Sequence, residues 1–219
     1  MMNRISNFCK SGFVTLAVAA VLATVPAAAE QEEGRAALRR DQDVAVVPAE
    51  AAEDMRHVLG DAIEAALDGD YEDFVDYLSE QDRERIGRFS EEDITAARDY
   101  ATDYSRFWDE RYGEEIDWDD NDDLDRVFNY PIRAVGAEME RVTVELPTEN
   151  KVLRLVNEGD MVDSWRIDAP NNLSGPQLRM RLEEAMRNIN ANRSLWPDES
   201  VSAARNAASE ILKTVAHDQ

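Results

Sequence analysis

Apolar and polar residues alternate in two short segments of the second half of the chain. Residues 141–146 alternate strictly, and so do residues 165–168. This two-residue period is typical of half-buried strands. Between them, residues 152–156 are apolar at four of five positions, as expected for a strand covered on both faces. The pattern predicts a three-stranded antiparallel meander, with turns rich in Pro, Asn, Gly and Asp.

The segments on either side of this meander carry a helical period. Between residues 52 and 112, apolar residues recur at spacings of three and four, which predicts several helices. The longest helix is predicted to follow the capping residue Ser90 and to end at Gly113. Residues 174–216 repeat the helical pattern twice and predict a helical hairpin, with Trp196 as a core residue at its turn.

Together these patterns predict an α+β fold in a single domain over residues 51–219. Helices come first, a curved antiparallel sheet follows within residues 126–168, and the helical hairpin closes the domain. A bare meander is not stable alone in water, so the helices must cover its apolar face. Residues 80–88 are dense in charge and are predicted to be a solvated connector. Residues 127–135, interrupted by Pro131, predict a fourth strand.

The first 29 residues have the features of an export signal. Two basic residues precede the apolar run Phe13 to Val25, and three alanines end at Ala29. The run is too short to span ~30 Å of hydrocarbon at 1.5 Å per residue. We therefore expect cleavage after Ala29 and a periplasmic or secreted product. Residues 30–50 are polar and rich in alanine, which predicts a flexible linker.

Charge and cysteine content exclude several kinds of partner and chemistry. The chain has 24 Lys and Arg against 47 Asp and Glu, a formal charge of −23, and loss of the signal changes this to −25. Such a charge repels phosphate backbones and anionic lipids, so we expect neither nucleic acid nor a membrane surface as a partner. The single cysteine, Cys9, lies within the signal, so the processed chain lacks disulfides, thiol nucleophiles and thiolate metal sites.

The sequence lacks the familiar catalytic motifs. It contains no G-x-S-x-G elbow, P-loop or G-x-G-x-x-G. His57 falls on the polar side of its predicted helix and His217 lies near a terminus expected to fray, so neither is expected to act as a base. The apolar stripe of the long helix carries no carboxylate or histidine for acid–base chemistry in a pocket beneath it. The sequence therefore favours a binding protein over an enzyme, with no cofactor.

An acidic run at residues 117–125, DWDDNDDLD, is one candidate metal site. Its alternate residues have the 1-3-5 spacing of calcium-loop ligands. The candidate ligands are Asp117, Asp119, Asn121 and Asp123. The positions that should hold glycine and glutamate in an EF-hand hold Asp122 and Phe128, which argues against that motif. A weak, irregular calcium site and a solvated acidic loop both stay open.

Polar residues of the meander form a second candidate site. Thr143, Arg154 and Arg166 are predicted to share one face of the sheet, with Glu145 nearby. Two guanidinium groups on that face would bind a carboxylate or phosphate group in bidentate fashion. The alternative is a cross-strand ladder of arginine and glutamate on a solvated sheet surface.

The order of the elements resembles that of the NTF2-like α+β proteins. The resemblance covers roughly residues 52–170 and rests on W-x-x-x-Y-G (Trp108 to Gly113) and S-W-R-I-D-A-P (Ser164 to Pro170). The chain is similar to secreted bacterial members of that group. The resemblance implies a cone-shaped, curved sheet around a long helix, with a cavity that is catalytic in some members and holds ligands or a partner in others. The chain lacks the Asp or His that catalytic members typically place in the cavity, so no site residue is carried over.

We therefore expect an exported acidic domain that binds a protein or a small molecule and performs no catalysis. Two alternatives remain. One is an NTF2-like enzyme or carrier whose Arg154 and Arg166 hold a small anionic ligand. The other is a weak calcium-binding protein that uses the acidic run.

Overall fold

The structure is a computed structural model. It describes residues 44–45, 47–114, 116–128, 132–135, 140–147, 150–159 and 164–218. Within these ranges, the side chains of residues 44–45, 91–93 and 132–135 are not described. The predicted signal peptide and most of the predicted linker lie outside the described residues.

Seven α-helices and six strands are present in the described part of the chain. The helices are α1 (Ala49–Leu67), α2 (Tyr71–Asp76), α3 (Glu80–Ile86), α4 (Glu91–Arg111), α5 (Asn121–Val127), α6 (Gly175–Ala191) and α7 (Ser200–Leu212). The strands are β1 (Val44–Ala45), β2 (Ile132–Val135), β3 (Arg141–Glu145), β4 (Lys151–Asn157), β5 (Trp165–Asp168) and β6 (His217–Asp218). The chain is therefore α+β, as predicted, with helices before and after the main strands.

The strands form an antiparallel sheet that is not closed. Its order is β1-β2-β3-β4-β5, and β6 pairs with the first residues of β4. Val142 lies opposite Leu155, which lies opposite Ile167, and all three are buried. The predicted meander is confirmed, whereas the fourth strand, predicted over residues 127–135, is confirmed only at Ile132–Val135. Since a fully buried aliphatic side chain contributes about 1.5–3 kcal/mol, this row of residues holds the sheet firmly against the helices.

The segment at residues 80–88 is not the solvated connector that its charge density predicted, because most of it forms α3. The Ser79 hydroxyl donates to Asp82 Oδ2 at 2.7 Å, and the backbone N–H of Ala169 donates to the same oxygen at 2.7 Å. Arg85 forms an ion pair with Asp82 at 2.6 Å. The prediction was wrong because it considered only the number of charged residues in this segment. It could not include the distant Ala169 N–H group, which donates to the buried Asp82 carboxylate.

The acidic run at residues 117–125 is not one continuous loop, because its second half belongs to α5. Asp120 Oδ1 accepts the backbone N–H groups of Asp122 and Asp123, at 2.9 and 3.1 Å, and so caps the helix. Val127, which was predicted to begin a strand, is buried at the end of this helix. The helix that begins at this cap explains why residues 117–125 are not one loop and why Val127 is not in a strand.

The helical hairpin packs α6 against α4 and α7 against α5. Ser174 and Gln177 form the capping box of α6, which confirms the predicted start of this helix. The chain end that was predicted to fray is ordered in β6 instead, where His217 Nε2 lies 2.7 Å from the carbonyl oxygen of Asp168. Asp218 also forms an ion pair with Lys151. These contacts compensate for the weak local preference of a terminus.

The edge of β5 that faces away from β4 also forms backbone hydrogen bonds. Ile167 donates its N–H to the carbonyl of Tyr77 at 2.9 Å, and its own carbonyl accepts the N–H of Ser79 at 2.9 Å. The segment between α2 and α3 therefore extends the hydrogen bonding of the sheet by one parallel bridge. Within the described residues, no helix has both the length and the apolar character needed to cross a membrane.

Helix α1 approaches the segment before α5 so closely that only glycine fits at position 60. A Cβ atom there would lie 2.7 Å from the carbonyl oxygen of Trp118 and 2.8 Å from Leu124 Cδ2. Both distances are shorter than van der Waals contact, and the backbone oxygen has little freedom to move. Gly60 thus allows the acidic segment to pack on α1.

We expect Gly60→Ala to lower the free energy of unfolding by about 1–3 kcal/mol, because the added methyl overpacks this contact. Urea denaturation measures the change. The sign of the change in the free energy of unfolding is decisive, since alanine in place of glycine at an uncrowded helix position would instead stabilise the protein by about 1 kcal/mol. A more stable variant would therefore contradict the close approach.

Candidate ligand-binding site

A cavity of about 610 Å³ opens between α4, α6 and α7. Its volume lies within the range of roughly 300–1,000 Å³ that is typical of small-molecule sites. One part of its lining is aromatic and aliphatic, from Tyr104, Trp108, Leu195 and Trp196. Another part carries amide and hydroxyl groups, from Asn188, Asn192, Asn206 and Ser209. We call this space the hairpin cavity.

Four aromatic rings form and support the apolar wall of the hairpin cavity. They are Tyr104, Trp108, Tyr112 and Trp196, with contacting ring centroids between 4.5 and 6.2 Å apart. The indole N–H of Trp108 donates to the Glu114 carbonyl at 2.7 Å, and that of Trp196 donates to the Ile189 carbonyl at 3.1 Å. Because both indole N–H groups are already bonded, these two side chains offer a ligand mainly carbon surface.

The turn between α6 and α7 is bound to the end of α4. Arg111 donates to the Trp196 carbonyl at 2.7 Å, and the Tyr112 hydroxyl donates to the Pro197 carbonyl at 2.6 Å. Trp196 itself is half-buried, so it is a wall of the cavity rather than the fully enclosed core residue that the sequence predicted. The wall is thus fixed before any ligand arrives, which reduces the entropy lost on binding.

The polar wall contains a buried hydroxyl group that lacks a partner. Ser209 is only 5% exposed, and within the described residues its Oγ forms no hydrogen bond. Leaving such a group unsatisfied costs about 1–3 kcal/mol. The Asn192 amide, by contrast, is oriented by donating to the Asn188 carbonyl at 2.9 Å. The Ser209 Oγ is closed to solvent as well, so the accessible polar groups of this wall are the amides of Asn188, Asn192 and Asn206, which belong to exposed residues.

The charges that line the hairpin cavity are already engaged. Lys213 forms an ion pair with Glu210, and Arg205 donates to the backbone carbonyls of Arg126 and Val127. The lining therefore holds two basic residues and one acidic residue, although the whole chain carries a formal charge of −23. Because each of these charged side chains already has a partner, the lining suits an uncharged ligand better than an ion.

Comparison with known proteins does not place the chain in a family. No protein-family model, no curated protein and no solved structure matches it. The function must therefore be argued from the geometry of the site.

The sequence did not predict the hairpin cavity, because its residues come from three helices and form no motif. One local signal was present. Asn188 and Asn192, the latter just after the end of α6, are four residues apart, a spacing that places both side chains on the same side of a helix.

The predicted anion site lies elsewhere, on the sheet. The strand register places Thr143 opposite Arg154, and Arg166 opposite Val156, so the three predicted residues share one face. Arg154 is exposed, and Arg166 donates to the carbonyl of Trp165 at 2.7 Å. None of the three lines the hairpin cavity. Anion binding by this pair stays a prediction.

The predicted calcium ligands bond mainly to their own segment. Asp117 Oδ1 accepts the N–H of Asp119 at 3.0 Å, and Asp123 Oδ2 accepts the N–H of Asp117 at 3.3 Å. Asn121 Nδ2 donates to Glu53 at 2.7 Å. In the described ranges of the chain, no group of three or more His, Cys, Asp or Glu side chains is arranged to hold a metal ion. Weak calcium binding there stays a prediction.

Carboxylates crowd the second half of α1. Burial raises the pKa of Asp61, and the nearby Asp119 raises it further, whereas His57 lowers it. Burial also raises the pKa of Glu64, and the charge of Asp68 adds to this effect. His57, which the sequence predicted to be exposed, is half-buried. The folded state therefore disfavours the charged forms of two acids.

We expect Glu64→Gln to stabilise the protein at about pH 7 and to have little effect at about pH 4. A raised folded-state pKa means that the native state binds more protons than the unfolded state, so stability falls as pH rises through the interval above the ordinary value of 4.5. Glutamine removes this penalty. Urea midpoints at the two pH values measure it, and equal effects of the substitution at both would contradict the assignment.

Proposed function

We propose that this chain is an exported binding protein, not an enzyme, and that its hairpin cavity takes a small uncharged ligand with one apolar face and one hydroxylated face. The carrying observation is a cavity with a fixed aromatic wall on one side and exposed amide groups on the other. A neutral sugar is a ligand of this kind.

The two walls support this ligand class for separate reasons. The aromatic wall favours a carbon face, since each Å² of apolar surface removed from water contributes about 25 cal/mol. The amides of Asn188, Asn192 and Asn206 offer both donors and acceptors, which matches hydroxyl groups that also do both. The charged side chains of the lining already have partners, so they give an anion or a cation little advantage there.

The ionisable groups of the lining argue against catalysis. They are Tyr104, Arg205, Glu210 and Lys213. Burial raises the pKa of the Tyr104 hydroxyl, so it stays protonated near neutral pH. Glu210 and Lys213 neutralise each other, and neither histidine of the chain lines the cavity. Among the described residues, the lining therefore offers no histidine and no carboxylate without a basic partner as a candidate acid or base.

Export and an NTF2-like arrangement are part of the same proposal. Export is supported by the signal-like pattern of residues 1–29, and N-terminal sequencing of the exported protein should then begin at Glu30. An NTF2-like core is supported by the order of helices and antiparallel strands. We nevertheless place the ligand between the helices, because the hairpin cavity there has a fixed apolar wall and a second wall with exposed amide groups.

Thermal-shift screening of the processed chain tests the proposed ligand class. The panel contains neutral mono- and disaccharides, with alkyl amines and carboxylates as charged comparators. We expect neutral sugars to raise the melting temperature, because a ligand that binds only the native state stabilises it. Asn206→Ala should weaken binding about five- to tenfold, the equivalent of one lost hydrogen bond, because its exposed amide lines the cavity.

Ser202→Ala is the matched control, because Ser202 lies on the same helix but outside the hairpin cavity. We expect its affinity to equal that of the wild type. Equal affinities of Asn206→Ala and the wild type for a sugar that binds would contradict the role of this amide. A response to charged compounds alone would contradict the ligand class.

A further inference from the structure

A second cavity, of about 270 Å³, lies between the end of α1, the last turns of α4 and the segment before α5. It shares Tyr104 and Trp108 with the hairpin cavity. Its volume falls just below the range of roughly 300–1,000 Å³ for drug-sized ligands, so it suits a compact molecule. We call it the acidic cavity.

Aromatic side chains contribute much of the lining of the acidic cavity. Tyr104, Trp108 and Trp118 are all buried, and Leu67 and Ile116 add aliphatic surface. Trp118 is further fixed by Phe128, whose ring centroid lies 6.5 Å away. Aromatic rings attract a cation within about 6 Å of their centroid, and the attraction is strongest for tryptophan.

The charged residues of the acidic cavity all have the same sign. Glu64, Asp68 and Asp109 line it, and no basic residue in the described part of the chain does. Burial and neighbouring acids raise the pKa of Glu64, which indicates that negative charge around it is not fully compensated.

We propose that the acidic cavity binds a compact organic cation bearing a primary or quaternary ammonium group. The carboxylates attract the charge, and the aromatic and aliphatic surface packs against the carbon atoms around the nitrogen. A bare metal ion fits less well, because it would gain nothing from the tryptophan side chains and, within the described residues, no group of side chains is arranged to hold one. This proposal does not depend on the ligand of the hairpin cavity.

Choline chloride is the probe, titrated into the full processed chain at constant ionic strength maintained with sodium chloride. Isothermal calorimetry gives the affinity, and the fluorescence of Trp108 and Trp118 reports occupancy. We expect saturable binding that weakens as total salt rises. Glu64→Gln and Asp109→Asn should each weaken it about three- to tenfold, as expected for the loss of one partly screened charge interaction.

Two controls separate this site from general attraction to an acidic protein. Asp99→Asn removes the same charge from an exposed position on α4 outside the acidic cavity, and it should leave the affinity within about twofold of the wild type. The neutral isostere 3,3-dimethylbutan-1-ol has the shape of choline without its charge and should bind much more weakly. Equal losses in all three variants, equal binding of the alcohol, or no saturation by choline would each overturn the proposal.

Discussion

Replacing Asp82 by alanine is expected to lower the free energy of unfolding by about 3–5 kcal/mol. Asp82 is 1% exposed, accepts hydrogen bonds from Ser79 and Ala169, and pairs with Arg85. Its loss would leave a buried backbone N–H without an acceptor and a guanidinium without its counter-charge. Urea denaturation monitored by circular dichroism measures the change.

Glu84→Ala is the matched control for this prediction, because Glu84 is an exposed acid on the same helix. We expect its effect to stay within about 0.5 kcal/mol. Asp82→Asn should be intermediate, since an amide oxygen still accepts the Ala169 N–H but does not neutralise Arg85. If Asp82→Ala proved as mild as Glu84→Ala, the buried ion pair would not be holding α3 to the end of β5.

Trp196→Ala is expected to destabilise the protein by about 2–4 kcal/mol and to abolish binding in the hairpin cavity. The side chain packs on Tyr104, Trp108 and Tyr112 and donates to the Ile189 carbonyl. Its removal would take away the ring packing between α4 and the turn of the helical hairpin, together with part of the apolar wall, although the backbone hydrogen bonds from Arg111 and Tyr112 would remain. Urea denaturation and ligand thermal shift measure the two effects separately.

Leu195→Ala tests whether Trp196 or the turn as a whole is responsible. Leu195 is the neighbouring residue and is 77% exposed, so its truncation should change stability by about 0.5 kcal/mol or less. Trp196→Phe should keep most of the ring packing and lose only the hydrogen bond, about 1 kcal/mol. Similar stabilities for the alanine variants at positions 195 and 196 would contradict the supporting role of the indole.

The predictions from sequence succeeded where structure depends on near neighbours. Alternation in β3 and β5 predicted the buried faces that contain Val142 and Ile167, because a strand exposes successive side chains to opposite sides. The start of α6 after Ser174 and the apolar stripe of α4 were predicted from the sequence equally well. Each of these features is decided within a few residues of the chain.

The failures concern contacts between distant residues. Asp82 is buried because Ala169, 87 residues further along, offers it an N–H donor, and no local pattern contains that information. The hairpin cavity has the same origin, since Tyr104 and Ser209 belong to separate helices that meet only in the folded chain. His217 was misjudged because its order comes from pairing with β4 rather than from local preference.

The positions of β6 and of Tyr77 to Ser79 also bear on the solubility of the protein. An unpaired strand edge invites the same edge of another copy to add to it, which is a common start of aggregation. Here β6 pairs with the beginning of β4, and the Tyr77–Ser79 segment pairs with β5 at Ile167. Within the described residues, these contacts leave fewer free backbone groups on this flank of the sheet, which disfavours intermolecular strand addition there in a concentrated preparation.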